Sequence, residues 1–396
     1  MTITASPPDA RRTTPCPTGG PPRRLPPEPL WFAAFAVFAG VFAVAAGPAA
    51  HRTWGVIAAA GYAVAAGVST VSRTAGRGCA FAGAALVPLV VLVATGTAQE
   101  EVAVVVRSGA HLLRHGTPYP ASAVPAGAYT AYDPYLPGMA VFGTTGLDPR
   151  LLFTAVFAVA MALAGLVGRC GRVWDGVGRG RVGRARVGWS GVGWGGLPVL
   201  VLVSPVVALP VAVGGDDLPV LGLSCLGLAL ARRHPGWAGT VLGVAATLKP
   251  TAWPVLVTAL FLTGRSGAPR YVGTAAAVLV PVIGVPALLD PAAFLTNVVL
   301  FPLGLTPVTS PADSPLPGHL LAGLGPAGHA VALALLGLTA VTIAAWLCLR
   351  PPRDAADAAR RTALGFGLAI CLLPATRWGY LLYPTVLAAW SRTVVA

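Results

Sequence analysis

The sequence predicts an all-α, polytopic transmembrane bundle of about 10–12 helical spans. Hydrophobic residues make up 55% of the 396 residues, charged residues make up only 10%, and the mean hydropathy is +0.74. A soluble domain is about 25% charged, so this chain lacks the polar surface that keeps a folded protein in water. Its apolar runs are also long enough to cross a bilayer. These observations exclude a soluble enzyme and a secreted domain.

Backbone groups in lipid must form hydrogen bonds within their own segment, so the apolar runs are helices. They lie at about 31–50, 55–71, 79–97, 151–168, 196–213, 217–231, 236–263, 271–289, 327–349, 362–375 and 378–391. Residues 29–396 are therefore expected to form a single transmembrane domain. Residues 1–28 are rich in Pro, Thr and Arg and have no signal-peptide cleavage site, which predicts a disordered cytoplasmic tail.

The basic residues give a net charge of +14 and a pI near 10.4. With the N-terminal tail in the cytoplasm, 21 of the 27 fall inside, many of them in a basic loop at about 169–195. Six fall outside: Arg52, Arg107, Arg114, Arg150, Lys249 and Arg377. Cytoplasmic loops carry excess Lys and Arg. The partition therefore predicts two cytoplasmic termini and explains the charge without a nucleic-acid partner. The heavy use of Ala, Gly, Val, Pro and Arg suggests a GC-rich bacterial genome, so the expected location is a bacterial plasma membrane.

The apolar run 236–263 has basic clusters at both ends that belong in the cytoplasm. A single crossing would place Arg265 and Arg270 on the wrong side. Two half-spans that turn at Leu248-Lys249-Pro250 resolve the conflict, and a proline there removes a helix donor. Broken helices at membrane depth occur where they line protein or a watery cavity, so the break predicts a cavity.

Eight of the 13 acidic residues fall on the outer side: Glu100, Glu101, Asp133, Asp148, Asp216, Asp217, Asp290 and Asp313. Two long loops, about 98–150 and 290–318, also lie there. Long ordered loops often carry function, so we expect any chemistry on this face.

The first outer loop opens with a stretch that has Val102, Val105, Val106 and Leu113 near one helical face, which predicts an interfacial helix. Tyr119, Tyr132 and Tyr135 follow, and tyrosine prefers the headgroup level, so this segment is expected to lie along the membrane surface. Residues 137–147 are too short to span and are interpreted as re-entrant. Asp216 and Asp217 fit either a helix N-cap or a substrate site, and Asp133 either a turn or a site.

Four stretches carry a resemblance to a known family: the run from Glu101 through GTPYP (Gly116 to Pro120), YDPYLPGMAVFG from Tyr132, LKP from Leu248 and ATRWGYLLYP from Ala375. They resemble bacterial glycosyltransferase family 87, which includes polyprenol-phosphate-mannose-dependent mannosyltransferases of the GT-C superfamily. The resemblance implies a GT-C-like bundle whose first extracytoplasmic loop and interfacial helix cover a cavity. It also implies transfer of a hexose, expected to be mannose, from a polyprenyl-phosphate sugar to a lipid or glycan acceptor.

The family's usual base is an aspartate at the start of the first outer loop, and Glu101 takes that place here, with Glu100 adjacent. One carboxylate can deprotonate the acceptor, and the departing phosphate needs positive charge. Lys249 and Arg377 are the leading cations for that role. The full set of candidates is Glu101, Glu100 and Asp133 for catalysis, and Lys249, Arg377, Tyr119, Tyr132, Tyr135, Asp216, Asp217, Arg107 and His319 for substrate binding. No metal ligand or cofactor is assigned, and dependence on a divalent metal is left open.

Two alternatives from other classes stay open. Broken helices also serve transporters and flippases, although the sequence has no evident two-fold repeat and its outer loops are long. A non-catalytic membrane assembly protein would tolerate neutralisation of every outer carboxylate, whereas an enzyme would not.

Overall fold

The structure is a computed structural model that describes residues 27–120, 129–177, 197–303, 305–308 and 312–395. Nearly all of the predicted N-terminal tail and most of the predicted basic loop lie outside these residues. Within them the secondary structure is helical, apart from an isolated bridge between Asp313 and Thr376. The all-α, polytopic membrane fold predicted from the sequence is confirmed.

The N-terminal part is built from closely packed helices. They are α1 (Glu28–Ala45), α2 (Ala49–Ser69), α3 (Arg73–Phe81), a π-helical turn (Ala82–Leu86) and α4 (Val87–Ala94). α1 and α2 form an antiparallel hairpin, and α3 returns along α2. The chain connections place Glu28 and Arg77 at one end of this group, where they form an ion pair of 2.6 Å between Oε1 and Nη2. The α1–α2 connection and the end of α4 lie at the opposite end.

About half of the first outer loop is in regular structure. It forms α5 (Glu100–His115), a 3-10 turn (Tyr129–Ala131) and a 3-10 helix (Pro137–Gly143). α5 packs backbone against backbone on that 3-10 helix, because a Cβ added to Gly109 would stand 2.3 Å from the carbonyl carbon of Gly143. Small residues permit such close approach.

The middle of the chain forms the central helices of the bundle. They are α6 (Pro149–Val177), α7 (Leu197–Leu202), α8 (Pro205–Val213), α9 (Asp217–Leu230), α10 (Pro235–Leu248), α11 (Trp253–Leu260) and α12 (Gly264–Leu289). α6 packs on α9, and α10 packs on both α9 and α12. The predicted break is present: α10 ends at Leu248, Lys249 is extended, and a 3-10 turn (Pro250–Ala252) precedes α11.

The C-terminal part contains both short and long helices. They are α13 (Pro291–Phe294), a π-helical turn (Leu295–Leu300), α14 (Pro317–Ala322), α15 (Pro326–Leu349), α16 (Ala355–Leu372), a 3-10 turn (Trp378–Leu381) and α17 (Leu382–Val395). Asp290 and Asp354 cap α13 and α16 through side-chain acceptors, as N-cap aspartates do.

Five helices of the described residues are long and apolar enough to cross a membrane: Glu28–Ala45, Arg73–Ala94, Pro149–Gly168, Gly264–Leu289 and Pro326–Leu349. Shorter apolar helices lie at Val199–Val213, Asp217–Leu230, Pro250–Leu260 and Pro291–Leu300. Large apolar side chains stay exposed on the long helices, for example Val37, Val280 and Leu338 at 63–68%. Such a surface suits hydrocarbon rather than water. The total of 10–12 crossings stays a prediction.

Several predicted boundaries are wrong. α1 and α2 begin and end earlier than their apolar runs, and α6 continues to Val177, beyond the predicted loop start at 169. The second outer loop, 290–318, begins with helix rather than irregular chain. In α5, Val102 and Val105 are buried against the protein, whereas Val106 and Leu113 are 46% and 70% exposed, so the apolar face of the predicted interfacial helix lies partly against the protein and partly at the surface. An apolar residue can face lipid or protein, and hydropathy alone does not separate the two.

Candidate functional site

The start of α5 is fixed against the turn between α8 and α9. The backbone N–H of Gln99 donates to the Val213 carbonyl at 3.2 Å, and the Gln99 side chain donates to the Gly214 carbonyl. Gly214 has φ +104°, and an added Cβ would stand 2.3 Å from Cγ2 of Val102. Glycine is therefore required at this position, and it brings Glu101 close to the turn that leads to Asp216.

Glu101 forms an ion pair with Arg377, which is 276 residues away in the sequence. The side chains are 21% and 38% exposed, respectively. The turn that carries Arg377 is held by the second outer loop, because Ser314 N donates to the Thr376 carbonyl at 2.9 Å and Thr376 N donates to the Ala312 carbonyl at 3.0 Å. The two predicted outer loops therefore meet at this ion pair.

Lys249 lies at the helix break and forms ion pairs with two neighbouring carboxylates. Its Nζ is 2.8 Å from Oδ1 of Asp216 and 2.6 Å from Oδ1 of Asp217. Tyr383 also donates to Oδ1 of Asp217 at 2.7 Å, and its hydroxyl lies 2.7 Å from that of Thr251. Asp216 stands at the N-cap position of α9 without a side-chain capping bond. The capping interpretation of Asp216 is therefore wrong, since its contact is with Lys249.

Tyr135 joins the two groups of ion pairs. Its ring centroid lies 5.2 Å from Nζ of Lys249, and its hydroxyl interacts electrostatically with Asp216 and Glu101. Tyr380 interacts in the same way with both Lys249 and Arg377. Together these residues form one assembly, called the charged cluster below. Its members are Glu101, Tyr135, Asp216, Asp217, Lys249, Arg377, Tyr380 and Tyr383.

Two of the stretches that carry the family resemblance meet in space beside Lys249. Leu136 N donates to the Leu248 carbonyl at 3.1 Å. A Cβ on Gly138 would stand 2.4 Å from Oγ1 of Thr247, so the segment packs directly on the end of α10. This contact places Tyr135 over the helix break.

Asp133 holds the first outer loop together and makes no ion pair in the part of the chain that the structure describes. It is 2% exposed, accepts hydrogen bonds from Ser108 Oγ and from Tyr135 N, and its own N–H donates to Asn297 Oδ1 at 2.8 Å. Burial raises the pKa of Asp133 to about 7, against the lowering effect of the bonds from Ser108 and Tyr135. These contacts fit the loop-structuring interpretation.

The other tyrosines of this loop are packed inside the protein. Tyr119 is 1% exposed, donates to the Tyr135 carbonyl at 2.9 Å and contacts Phe294 edge-on. Tyr132 is 5% exposed and stacks on Phe301 with 4.4 Å between centroids. The side chains of Tyr119, Tyr132 and Tyr135 are buried in the protein, the first two against Phe294 and Phe301 of the second outer loop, so the prediction that they occupy the headgroup level is wrong. The position of the segment along the membrane surface stays a prediction.

The remaining candidates lie outside the charged cluster. Glu100 is exposed, accepts a hydrogen bond from Tyr129 and lines an open groove of about 540 Å³ between α5 and the start of α6. Arg107 is exposed and donates to the Thr130 carbonyl. His319 Nδ1 lies 2.9 Å from the Pro374 carbonyl, at the base of the turn that carries Arg377. No group of three or more His, Cys, Asp or Glu side chains in the described ranges is arranged to hold a metal ion.

Three residues of this region were not among the candidates. Asn297 is fully buried and binds the Asp133 backbone. Arg150 is 2% exposed; it donates to the Thr97 carbonyl at 2.7 Å and pairs with Asp148. His51, at the start of α2, interacts electrostatically with Glu101 and Arg377. A polar residue within an apolar run is the signal that could have identified Asn297.

Residues 134–374 match the family model of glycosyltransferase family 87. This segment is more than half of the chain and contains Asp216, Asp217 and Lys249. The chain belongs to glycosyltransferase family 87. Comparison with curated proteins and with solved structures gives no match.

Family 87 membership agrees with the helical membrane fold, and the protein is a membrane glycosyltransferase. A GT-C arrangement is consistent with both. Glu101 lies well before the matched segment and Arg377 lies just after it, yet the structure brings them next to residues within it. The charged cluster is therefore assembled from both matched and unmatched parts of the chain.

Proposed function

We propose that the protein transfers a hexose, mannose in the first instance, from a polyprenyl-phosphate sugar to a hydroxyl of an extracytoplasmic lipid or glycan. The observation that supports this proposal best is the Glu101–Arg377 ion pair at one end of the bundle, beside the Lys249 helix break. In this proposal Glu101 serves as the base and Arg377 binds the phosphate, so both roles fall to one ion pair.

In the proposed reaction Glu101 accepts the proton of the acceptor hydroxyl. The acceptor oxygen bonds to the anomeric carbon of the sugar as the bond from that carbon to the phosphate oxygen breaks, and the phosphate leaves with the electron pair. Protonation of Glu101 removes the charge that holds Arg377. The guanidinium is then available to the phosphate, which it can bind with two hydrogen bonds. A single pair thereby serves both proton removal and departure of the leaving group.

The Lys249 group has a different role in this proposal. Lys249 was expected to bind phosphate, but its charge is already offset by Asp216 and Asp217. Asp216 Oδ2 is buried and makes no hydrogen bond of normal geometry in the part of the chain that the structure describes, although the Tyr135 hydroxyl is close enough to Asp216 to interact with it. A buried acceptor without a partner is costly, and a hydroxyl of the donor sugar would satisfy it. We therefore assign sugar binding to Asp216, with Lys249 and Asp217 holding it in place.

A transfer assay distinguishes the proposed enzyme from the transport and assembly alternatives, because neither alternative transfers a sugar. Membranes containing the full chain are incubated with labelled mannose on polyprenyl phosphate and, separately, on a nucleotide carrier. The proposal predicts transfer from the lipid carrier alone, abolished by Glu101→Ala. Transfer from the nucleotide carrier alone would overturn the donor class, and transfer unaffected by Glu101→Ala would overturn the role of Glu101.

The proposed orientation places the charged cluster outside the cell and both termini inside. The partition of 21 basic residues from eight carboxylates supports it, because cytoplasmic loops are enriched in Arg. It also agrees with a lipid-linked donor, whose sugar is available on the outer face.

A further inference from the structure

The hairpin formed by α1 and α2 carries a histidine that interacts electrostatically with two members of the charged cluster, although the hairpin precedes the segment matched by the family. Its connection, residues 46–48, lies at the same end of the bundle as the start of α5. His51 follows in the first turn of α2. His51 therefore approaches the proposed site from a hairpin that takes no part in the proposed reaction.

The His51 ring has unused hydrogen-bonding capacity. Its Nδ1 is buried and has no hydrogen-bond partner within the described ranges, and its one ring contact is with Phe42 at 5.8 Å between centroids. Native proteins satisfy most buried polar atoms, so an unsatisfied one calls for a specific explanation. Glu101 and Arg377 are the charged groups that interact electrostatically with this ring.

The cations of the charged cluster are already engaged. Lys249 is bound by two aspartates and Arg377 by Glu101. A phosphate group that enters the cluster needs a donor that is not engaged in this way. A neutral imidazole can donate through one ring nitrogen, and Nδ1 of His51 is a buried donor position without an acceptor.

We propose that His51 donates a hydrogen bond to the phosphate of the polyprenyl-phosphate ligand and so forms a phosphate subsite, which Arg377 joins once Glu101 is protonated. This inference rests on the proposed function. The hairpin is then part of the substrate site as well as a membrane anchor. The ligand is recognised by its phosphomonoester or phosphodiester oxygens, and the apolar chain remains in lipid.

The test measures binding rather than transfer, so that it is separate from the chemistry of Glu101. The full chain in lipid nanodiscs is titrated with polyprenyl phosphate, inorganic phosphate and neutral polyprenol. His51→Leu keeps an apolar side chain against Phe42 but removes the donor, whereas His51→Asn keeps a donor near the position of Nδ1. Arg52→Gln is the matched control, because Arg52 is an exposed neighbouring cation.

Loss of one hydrogen bond to a charged group corresponds to about tenfold or more in affinity. We expect His51→Leu to weaken polyprenyl phosphate binding by that factor, with His51→Asn and Arg52→Gln close to wild type and polyprenol binding unchanged. If inorganic phosphate shows the same pattern, the subsite recognises phosphate itself; if it does not bind, recognition requires the lipid-linked form.

The outcomes that would contradict the role of His51 differ from the outcome that would contradict the proposed function. Wild-type affinity in His51→Leu, or an equal loss in Arg52→Gln, would overturn the role of His51 while leaving the proposed function intact. Absence of polyprenyl phosphate binding to the wild type would overturn the proposed donor and this inference together. Thermal unfolding of each variant shows whether it is folded, and His51→Asn provides a second test if His51→Leu does not fold.

Discussion

Replacement of Lys249 by methionine should destabilise the protein strongly, because two buried carboxylates lose their common cation. The side chains of Lys249, Asp216 and Asp217 are 12%, 6% and 13% exposed. Methionine has a similar length and an apolar end, so it removes the charge with little change in volume. Breaking a buried ion pair from one side costs about 3–5 kcal/mol, and two carboxylates lie within 2.8 Å of this ammonium.

Arg377→Met provides the matched control, because it breaks an ion pair whose arginine side chain is 38% exposed. Exposed pairs contribute about 0–1 kcal/mol. The triple variant Lys249→Met with Asp216→Asn and Asp217→Asn tests the cause directly. Without the two negative charges, the triple variant should recover most of the free energy of unfolding that Lys249→Met loses.

The free energy of unfolding is measured by denaturation in detergent micelles, with thermal unfolding as a second measurement. We expect Lys249→Met to lose several kcal/mol, about 3–5 by the estimate for a buried pair, and Arg377→Met to lose much less. Equal losses in the two variants would refute the reasoning. So would a triple variant that is no more stable than Lys249→Met, because uncompensated charge would then not be the cause.

Two further predictions concern the first outer loop and the orientation. Burial raises the pKa of Asp133 to about 7. The neutral carboxyl therefore contributes its full stabilisation below about pH 4, and this contribution is lost as the pH rises through 7. Asp133→Asn should therefore stabilise the protein at pH 8, on the order of 2–4 kcal/mol, but not at pH 4; exposed Asp313→Asn should show no such difference. In a cysteine-free background, an impermeant thiol reagent applied to intact cells should label Leu147→Cys and not Arg353→Cys; labelling of both, or of Arg353→Cys alone, would contradict the orientation.

The sequence predicts the features that depend on residues close together in the chain. Proline after Lys249 predicts the helix break, since proline lacks the donor that a helix needs. Runs of apolar residues predict the helices. The pairing of Lys249 with Asp217, by contrast, joins residues 32 positions apart, and that of Glu101 with Arg377 joins residues 276 apart. Only tertiary packing determines such partners.

The errors have a common physical origin. Tyr119, Tyr132 and Tyr135 were assigned to the headgroup level from their residue type alone. In a membrane protein, protein, lipid and headgroups all accept an apolar or aromatic side chain, so the assignment depends on which element covers it. The second outer loop covers Tyr132 through Phe301, and the sequence gives no indication of that contact. His51 was overlooked because the sequence does not show how close α2 comes to α5.

The most direct test of the central claim compares two glutamates in the same kind of ion pair. Glu28→Gln and Glu101→Gln each remove one carboxylate that pairs with an arginine, Arg77 or Arg377. Transfer of labelled mannose from polyprenyl phosphate is measured with both variants in proteoliposomes. The proposed mechanism predicts that Glu101→Gln abolishes transfer while Glu28→Gln retains it. Wild-type transfer by Glu101→Gln would show that this carboxylate is not the base.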